Sequence, residues 1–266
     1  DRRQRQMCIR DRFTGGTIGS TVDGATVHTD PAAASRLLSL YRARFGEDVL
    51  FEVRRPCNLL SENATPGLWS LLERSVREEE LAVYDGVIIT HGSDTLPYTC
   101  AALAFLLRDV PIPLVLVASN YSLGDSRSNG LANFRSAVEL IASRQVRGVF
   151  TVFQDEKGAN RVYLAARIQE ADTARDQFTS YGGVDFGEIR GGKFVWNEHP
   201  DNPSPSEINQ IPARLLPANW VFQEPVPALR PYPGLSYQWI RYDPQPRALL
   251  PVSYTHLRAH ETSAHL

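Results

Sequence analysis

What this sequence has little of narrows its function before any motif is read. Three cysteines, Cys8, Cys57 and Cys100, are scattered over 266 residues, too few and too far apart for a disulfide framework or a Cys-x-x-Cys metal site. They read as reduced thiols, with Cys100, inside an apolar segment, as a buried and inert one. No apolar run approaches the length of a membrane span and no charged-then-apolar leader precedes Phe13, so the expectation is a cytoplasmic protein without membrane attachment. Positive charge is not in excess. Twenty-eight Lys and Arg face 30 Asp and Glu, with an isoelectric point near 6.3, so no basic field argues for a nucleic-acid partner. Small neutral or zwitterionic ligands suit this balance better. The phosphate-loop pattern is also missing: Phe13-Thr14-Gly15-Gly16-Thr17-Ile18-Gly19-Ser20 has no Lys-Ser/Thr after its glycines and is not Gly-x-Gly-x-x-Gly, which argues against a nucleotide site.

What is present is organised around Asp85-Gly86-Val87-Ile88-Ile89-Thr90-His91-Gly92-Ser93-Asp94-Thr95-Leu96. Four consecutive apolar or small positions, a Thr-His-Gly turn and an apolar-periodic segment from Leu96 to Leu107 predict a buried parallel strand, a tight turn and a helix, with Ser93 or Asp94 as N-cap. A helix start with free N–H groups favours a small ligand carrying a carboxylate. The Gly15-Gly16 turn is its counterpart near the front of the chain, leaving the hydroxyls of Thr14 and Thr17 at the mouth of a strand.

Elsewhere strand and helix patterns alternate. Residues 20–30 have no apolar period and read as a mobile loop. Pro31 opens a helix with Leu37, Leu38, Leu40 and Tyr41 on one face and Gly46 at its end. Val49–Val53 reads as a strand, Ser61-Glu62-Asn63 as a loop beyond the following apolar pair, and Thr65-Pro66 as the start of a helix. Val110–Ala118 reads as a strand, Asn129–Ser143 as a helix, and 146–153 with 161–168 as an antiparallel pair. The result is an α/β fold: an open parallel sheet flanked by helices with an antiparallel hairpin at its edge. Ligands in such sheets bind beyond the strands' carboxyl ends. Gly124-Asp125-Ser126 has the outline of an esterase nucleophile, but a loop in which Asp125 braces its own backbone is simpler. His256 and His260 have helical metal-ligand spacing without a third ligand or a core to hold them.

Thr14-Gly15-Gly16-Thr17-Ile18 and Thr90-His91-Gly92-Ser93-Asp94-Thr95-Leu96 resemble the two signature segments of the bacterial-type asparaginase/glutaminase family. The resemblance extends to Leu60–Pro66, to Ala118-Ser119-Asn120 with Asp125–Gly130, and to Pro231-Tyr232-Pro233-Gly234. It implies an amidohydrolase converting L-asparagine to L-aspartate and ammonia. In that reading Thr17 is the nucleophile, Ser93 positions water, Asp94 binds the substrate ammonium, and Ser61 and Glu62 hold the substrate's backbone. No metal and no cofactor is implied. Family members are commonly homotetramers in which a neighbour's second domain completes the site. Three departures bear on turnover. Serine stands at 93 where the family usually has threonine. No tyrosine lies between Gly19 and Asp30, where His28 is the titratable ring. The stretch Ala166–Glu170 holds Arg167 in place of the family's lysine, and a guanidinium is a poor proton acceptor. A non-catalytic amino-acid-binding domain and the amidase subunit of a tRNA-dependent amidotransferase are the alternatives.

The two ends, 1–12 with five arginines and 252–266 with three histidines, resemble translated adapter read-through and are expected to lie outside the fold. Between them the expected organisation is an asparaginase-like domain over 13–197, a proline-rich linker over 198–228, and the truncated start of a smaller second α/β domain over 229–251.

Overall fold

The computed structural model of the chain describes residues 7–15, 18, 20–23, 26–29, 32–172, 177–217, 228–229 and 250–251. The chain divides into two compact units, 1–220 and 221–266. In the first, β1 (Met7–Phe13), β4 (Val49–Arg54), β5 (Gly86–Thr90), β6 (Pro113–Val117) and β7 (Gly148–Gln154) form the parallel part of an eight-stranded sheet. β8 (Asn160–Leu164), β11 (Gly187–Arg190) and β12 (Lys193–Trp196) extend it antiparallel, giving the order β12-β11-β8-β7-β6-β5-β1-β4. The β11–β12 turn uses Gly191 and Gly192 at φ 58° and 76°, the positive values a two-residue hairpin demands.

Helices cover both faces. α1 (Ala33–Phe45) and α4 (Gly130–Ser143) press Leu37, Tyr41, Phe134 and Ile141 onto Ile9, Phe13, Phe51, Ile88 and Val115 in one buried cluster. On the other face α2 (Pro66–Arg77) and α3 (Leu96–Leu106) bury Leu68, Leu72, Val76, Cys100 and Leu103, beside strand residues such as Val87, Ile89 and Leu114. β5 and β6 are buried along their whole length, the condition under which strands read as unbroken apolar runs.

The parallel strands run β4-β1-β5-β6-β7, so the chain steps from β1 to one side and then returns to the other. The gap between the carboxyl ends of β1 and β5 is therefore the topological switch point, where open α/β sheets bind ligands. The residues at those two ends are Thr14-Gly15 and His91-Gly92-Ser93-Asp94.

Two expectations change. The described part of the arginine-rich segment, from Met7, occupies a central strand: β1 pairs in parallel with β4 and β5 through Met7–Phe13. Backbone pairing is indifferent to side chain, and strand alternation turns Arg10 and Arg12 to the α2 face, where both are buried. There Arg10 meets Glu52 at 2.7 Å and also Glu79, and Arg12 meets Glu79 at 2.8 Å. Residues 20–29, read as a loop, contain an antiparallel ribbon of β2 (Ser20–Asp23) and β3 (Thr26–Thr29). Their Thr and Val residues favour extended pairing even without an apolar period.

β9 (Ile168–Asp172) and β10 (Gln177–Ser180) form a further antiparallel pair. Within the proline-rich stretch, α5 (Pro205–Ile208) is closed by a Ser204–Glu207 capping box, Arg167 Nη1 donates to the carbonyl of Asp201 at 2.7 Å, and Arg214 bridges to Glu73 at 2.8 Å. In the second unit β13 (Ala228–Leu229) pairs in parallel with β14 (Leu250–Pro251). His256 and His260 lie outside the described residues, as does the side chain of His28. Among the described residues no helix is long and apolar enough to cross a membrane.

Candidate active site

The site is assembled from the loops that leave β1, β4 and β5. β1 ends at Phe13, and the next residue turns inward: Thr14 is buried, with Oγ1 donating to the carbonyl of Thr90 at 2.6 Å. Sequence alone stood this hydroxyl at the strand's mouth; it is instead a strut joining the ends of the two strands at the switch point. The carbonyl of Thr14 accepts from the amide of Leu59 at 3.0 Å, and Gly15 forms a parallel bridge with Leu59. Gly15 has φ +98°, and a Cβ there would lie 2.7 Å from the Leu59 carbonyl oxygen. Glycine is required on both counts.

Ser61 and Asp94 come together across the cleft. Ser61 opens a short 3₁₀ turn, Ser61–Asn63, and is 3% exposed. Its Oγ donates to Asp94 Oδ2 at 2.6 Å, while Thr95 Oγ1 donates back to the Ser61 carbonyl at 2.9 Å. Two reciprocal bonds thus lock the β4 loop to the β5 loop. The carboxylate of Asp94 keeps acceptor capacity beyond the one lone pair that Ser61 engages, and the residue is exposed. Ser93 is half-buried and Glu62 is exposed. α3 begins at Leu96 with Thr95, not Ser93 or Asp94, as its N-cap. The Thr95 hydroxyl is committed to Ser61, so no side chain caps the helix, and the carboxylate of Asp94 is released from a capping duty.

Beneath this turn lies a buried polar chain. His91 is 1% exposed; its Nδ1 contacts the Gly92 carbonyl at 2.8 Å and its Nε2 the hydroxyl of Thr99 at 3.0 Å. Burial pushes the imidazole pKa below its ordinary value, so the ring is neutral near pH 7. The amide of His91 donates to the carbonyl of Val117 at 2.8 Å, which ties the turn to the end of β6. There Ser119, Asn120, Ser128 and Asn129 bond to one another, and Asn133 joins the Ala118 carbonyl to the Gln154 amide. Asp125 does brace its own loop, accepting from the Arg127 amide at 2.9 Å and from its guanidinium.

Of the residues expected in the site, Ser61, Glu62, Ser93 and Asp94 gather at the carboxyl edge of β4 and β5. Thr17 lies outside the described residues, as does Gly16; their neighbours Gly15 and Ile18 are described, Gly15 against Leu59 and Ile18 fully buried. Reading by sequence missed the supporting layer of Thr14, Thr95, Thr99 and Trp69, whose indole donates to Thr99 Oγ1 at 3.0 Å. The available signal was the pair of threonines at 95 and 99, four residues apart at the start of the predicted helix. Cys100 is buried in α3 and its thiol is pushed up by that burial. Among the described residues no group of three or more His, Cys, Asp or Glu could hold a metal ion.

Comparison with known proteins agrees with this architecture. Residues 12–202 match the family model described as Asparaginase, N-terminal. A glutamyl-tRNA(Gln) amidotransferase subunit of Methanococcus maripaludis is 27% identical over 234 residues, covering 86% of this chain and 54% of that protein. The L-asparaginase of Thermococcus kodakarensis is 30% identical over 188 residues, covering 70% of this chain and 55% of that protein. The chain thus spans about half the length of these curated relatives. The solved structure of the thermostable T. kodakarensis L-asparaginase matches with TM-score 0.69 and 28% identity, covering 87% of this chain and 66% of that one. The matched span and the switch-point geometry lead to one assignment: this chain belongs to the asparaginase family.

Proposed function

We propose that the cleft between the β1, β4 and β5 loops hydrolyses the side-chain amide of a free amino acid, with L-asparagine as substrate and L-aspartate and ammonia as products. The observation that carries this reading is the Ser61–Asp94 bond of 2.6 Å. It presents one carboxylate, fixed in direction and open to solvent, as the seat for an α-ammonium group. The α-carboxylate falls to the adjoining Ser61-Glu62 turn.

Thr17 attacks the carboxamide carbon through Oγ. The C–N bond breaks, the hydroxyl proton leaves with the nitrogen as ammonia, and an aspartyl ester remains on Thr17. Water held by Ser93 then attacks the ester, releasing aspartate and returning the proton to Thr17 Oγ. Backbone N–H groups of the two glycine turns stabilise the oxyanion, a contribution of about 3 to 4 kcal/mol per donor. His91 is not the base in this scheme, because both ring nitrogens are engaged inside the protein. Thr17→Ala is expected to abolish ammonia release from asparagine while the urea midpoint stays unchanged; undiminished release would remove Thr17 from the scheme.

Similarity to the glutamyl-tRNA(Gln) amidotransferase proteins of Methanococcus and Haloquadratum favours a second reading. In it the ammonia freed by the same amide cleavage passes to a charged tRNA. Ammonia release that rises only when charged tRNA is added supports this reading; release from free asparagine at an unchanged rate with and without it supports the first.

A further inference from the structure

His91 sits directly before the Gly92-Ser93-Asp94 turn, and its protonation can be settled by counting donors and acceptors. A carbonyl oxygen only accepts, so the 2.8 Å contact with Gly92 requires a proton on Nδ1. Burial holds the ring neutral, so Nε2 carries a lone pair and needs a donor. Thr99 Oγ1, 3.0 Å away, is the partner of that nitrogen. Thr99 in turn receives the Trp69 indole N–H at 3.0 Å, a group that can only donate. That bond uses one of its two lone pairs and leaves its single proton to point at the imidazole. The whole chain runs one way, from Trp69 on α2 through Thr99 on α3 to His91 and the carbonyl of Gly92.

We propose that Thr99 is a positioning residue for the amino-acid site: its hydroxyl fixes His91 as the Nδ1–H tautomer, and His91 holds the Gly92 carbonyl inward so that Ser93 and Asp94 face the cleft. The peptide between Gly92 and Ser93 has two faces, and turning its carbonyl inward turns the Ser93 amide toward the ligand. Without the Thr99 proton, a neutral His91 either leaves Nε2 unsatisfied in the core or moves its proton to Nε2 and releases Gly92. Either outcome relaxes the turn that carries Asp94. Thr99 is itself fully buried and touches no ligand. This inference rests on the proposed amino-acid site for its functional half and on the hydrogen-bond chain alone for its structural half.

The test uses the whole chain in three forms, unaltered, Thr99→Val and Thr99→Ser, with two readouts. Nitrogen-15 NMR of the imidazole reports the tautomer, and calorimetry reports the affinity for L-aspartate. The unaltered protein is expected to show one neutral Nδ1–H tautomer near pH 7. Thr99→Val is expected to lose that signature and to bind aspartate about tenfold more weakly, the scale for losing the partner of a buried polar group. Thr99→Ser, which keeps the hydroxyl, is expected to restore both. A valine variant with unchanged tautomer and affinity would overturn the proposal, as would a serine variant as impaired as the valine one, since packing of the methyl would then be the cause. If the unaltered protein binds no aspartate the functional reading fails, and the NMR comparison still decides whether Thr99 sets the His91 tautomer.

Discussion

Asp11 gives the fold a pH dependence that can be worked out in advance. It lies in β1 opposite Val53 of β4 and Ile88 of β5, and strand alternation puts it on the side of Ile9 and Phe13, in the apolar layer beneath α1 and α4. Both carboxyl oxygens are buried without a hydrogen-bond partner. Burial pushes its pKa up from 3.8 to about 7, against the opposing pull of Arg12 and Arg55. In the unfolded chain the group ionises at its ordinary value. Between about pH 4 and pH 7 the folded state therefore holds a proton that the unfolded state has lost, so stability falls as pH rises across that window. About three pKa units at about 1.36 kcal/mol each amount to roughly 4 kcal/mol. The penalty is absent below about pH 4 and complete above about pH 7. Asp11→Val removes the titrating group and supplies a β-branched side chain suited to a buried strand. Urea unfolding of both proteins from about pH 4 to about pH 8 is the assay. The variant is expected to be the more stable at every pH, and its advantage to widen by about 4 kcal/mol between the two ends. A constant gap, or a less stable variant, would refute the placement of Asp11 in the apolar layer.

Three other outcomes follow from the same geometry. Asp94→Asn keeps an acceptor for Ser61 but removes the charge, so aspartate affinity is expected to fall about tenfold or more while the urea midpoint moves little, by calorimetry and denaturation together. Gly15→Ala adds a Cβ that would stand 2.7 Å from the Leu59 carbonyl at φ +98°; a loss of about 2 kcal/mol in urea unfolding is expected, with weakened ligand binding, since the turn and the Leu59 loop must separate. Cys100 is expected to resist a thiol reagent until the protein unfolds, and Cys57, half-buried with its thiol pushed up to about 11, to react slowly at about pH 8.

The parts of the fold that sequence revealed are those where one physical signal dominates. β5 and β6 are buried on both faces, so their apolar runs admitted little else, and Gly46 marks the end of α1 at a positive φ that glycine takes without strain. The site was legible as a set of residues, Ser61 and Glu62 at one strand end and Ser93 and Asp94 at another, because those residues lie in two short segments. The direct Ser61–Asp94 contact was not legible, since it depends on how far two loops reach toward each other. Met7–Phe13 was misread because composition was weighed above backbone pairing: Arg10 and Arg12 find Glu52 and Glu79, while Asp11 on the opposite face keeps both carboxyl oxygens without a hydrogen-bond partner. The Ser20–Thr29 ribbon escaped notice because its sequence carries no apolar alternation, the signal by which a half-buried strand is read. Thr95 displaced Ser93 and Asp94 as the α3 cap because its hydroxyl serves the Ser61 carbonyl, a contact from another loop that no local capping rule contains.

Everything proposed for this cleft turns on whether the hydroxyl of Thr17 and the Ser61–Asp94 pair meet one amino-acid ligand. A crystal structure of the protein soaked with L-aspartate measures this directly. The ligand's ammonium is expected on the Asp94 carboxylate and its side-chain carboxyl about 3 Å from Thr17 Oγ. A ligand bound elsewhere, or a Thr17 hydroxyl more than about 10 Å from Asp94 with core between them, would contradict it.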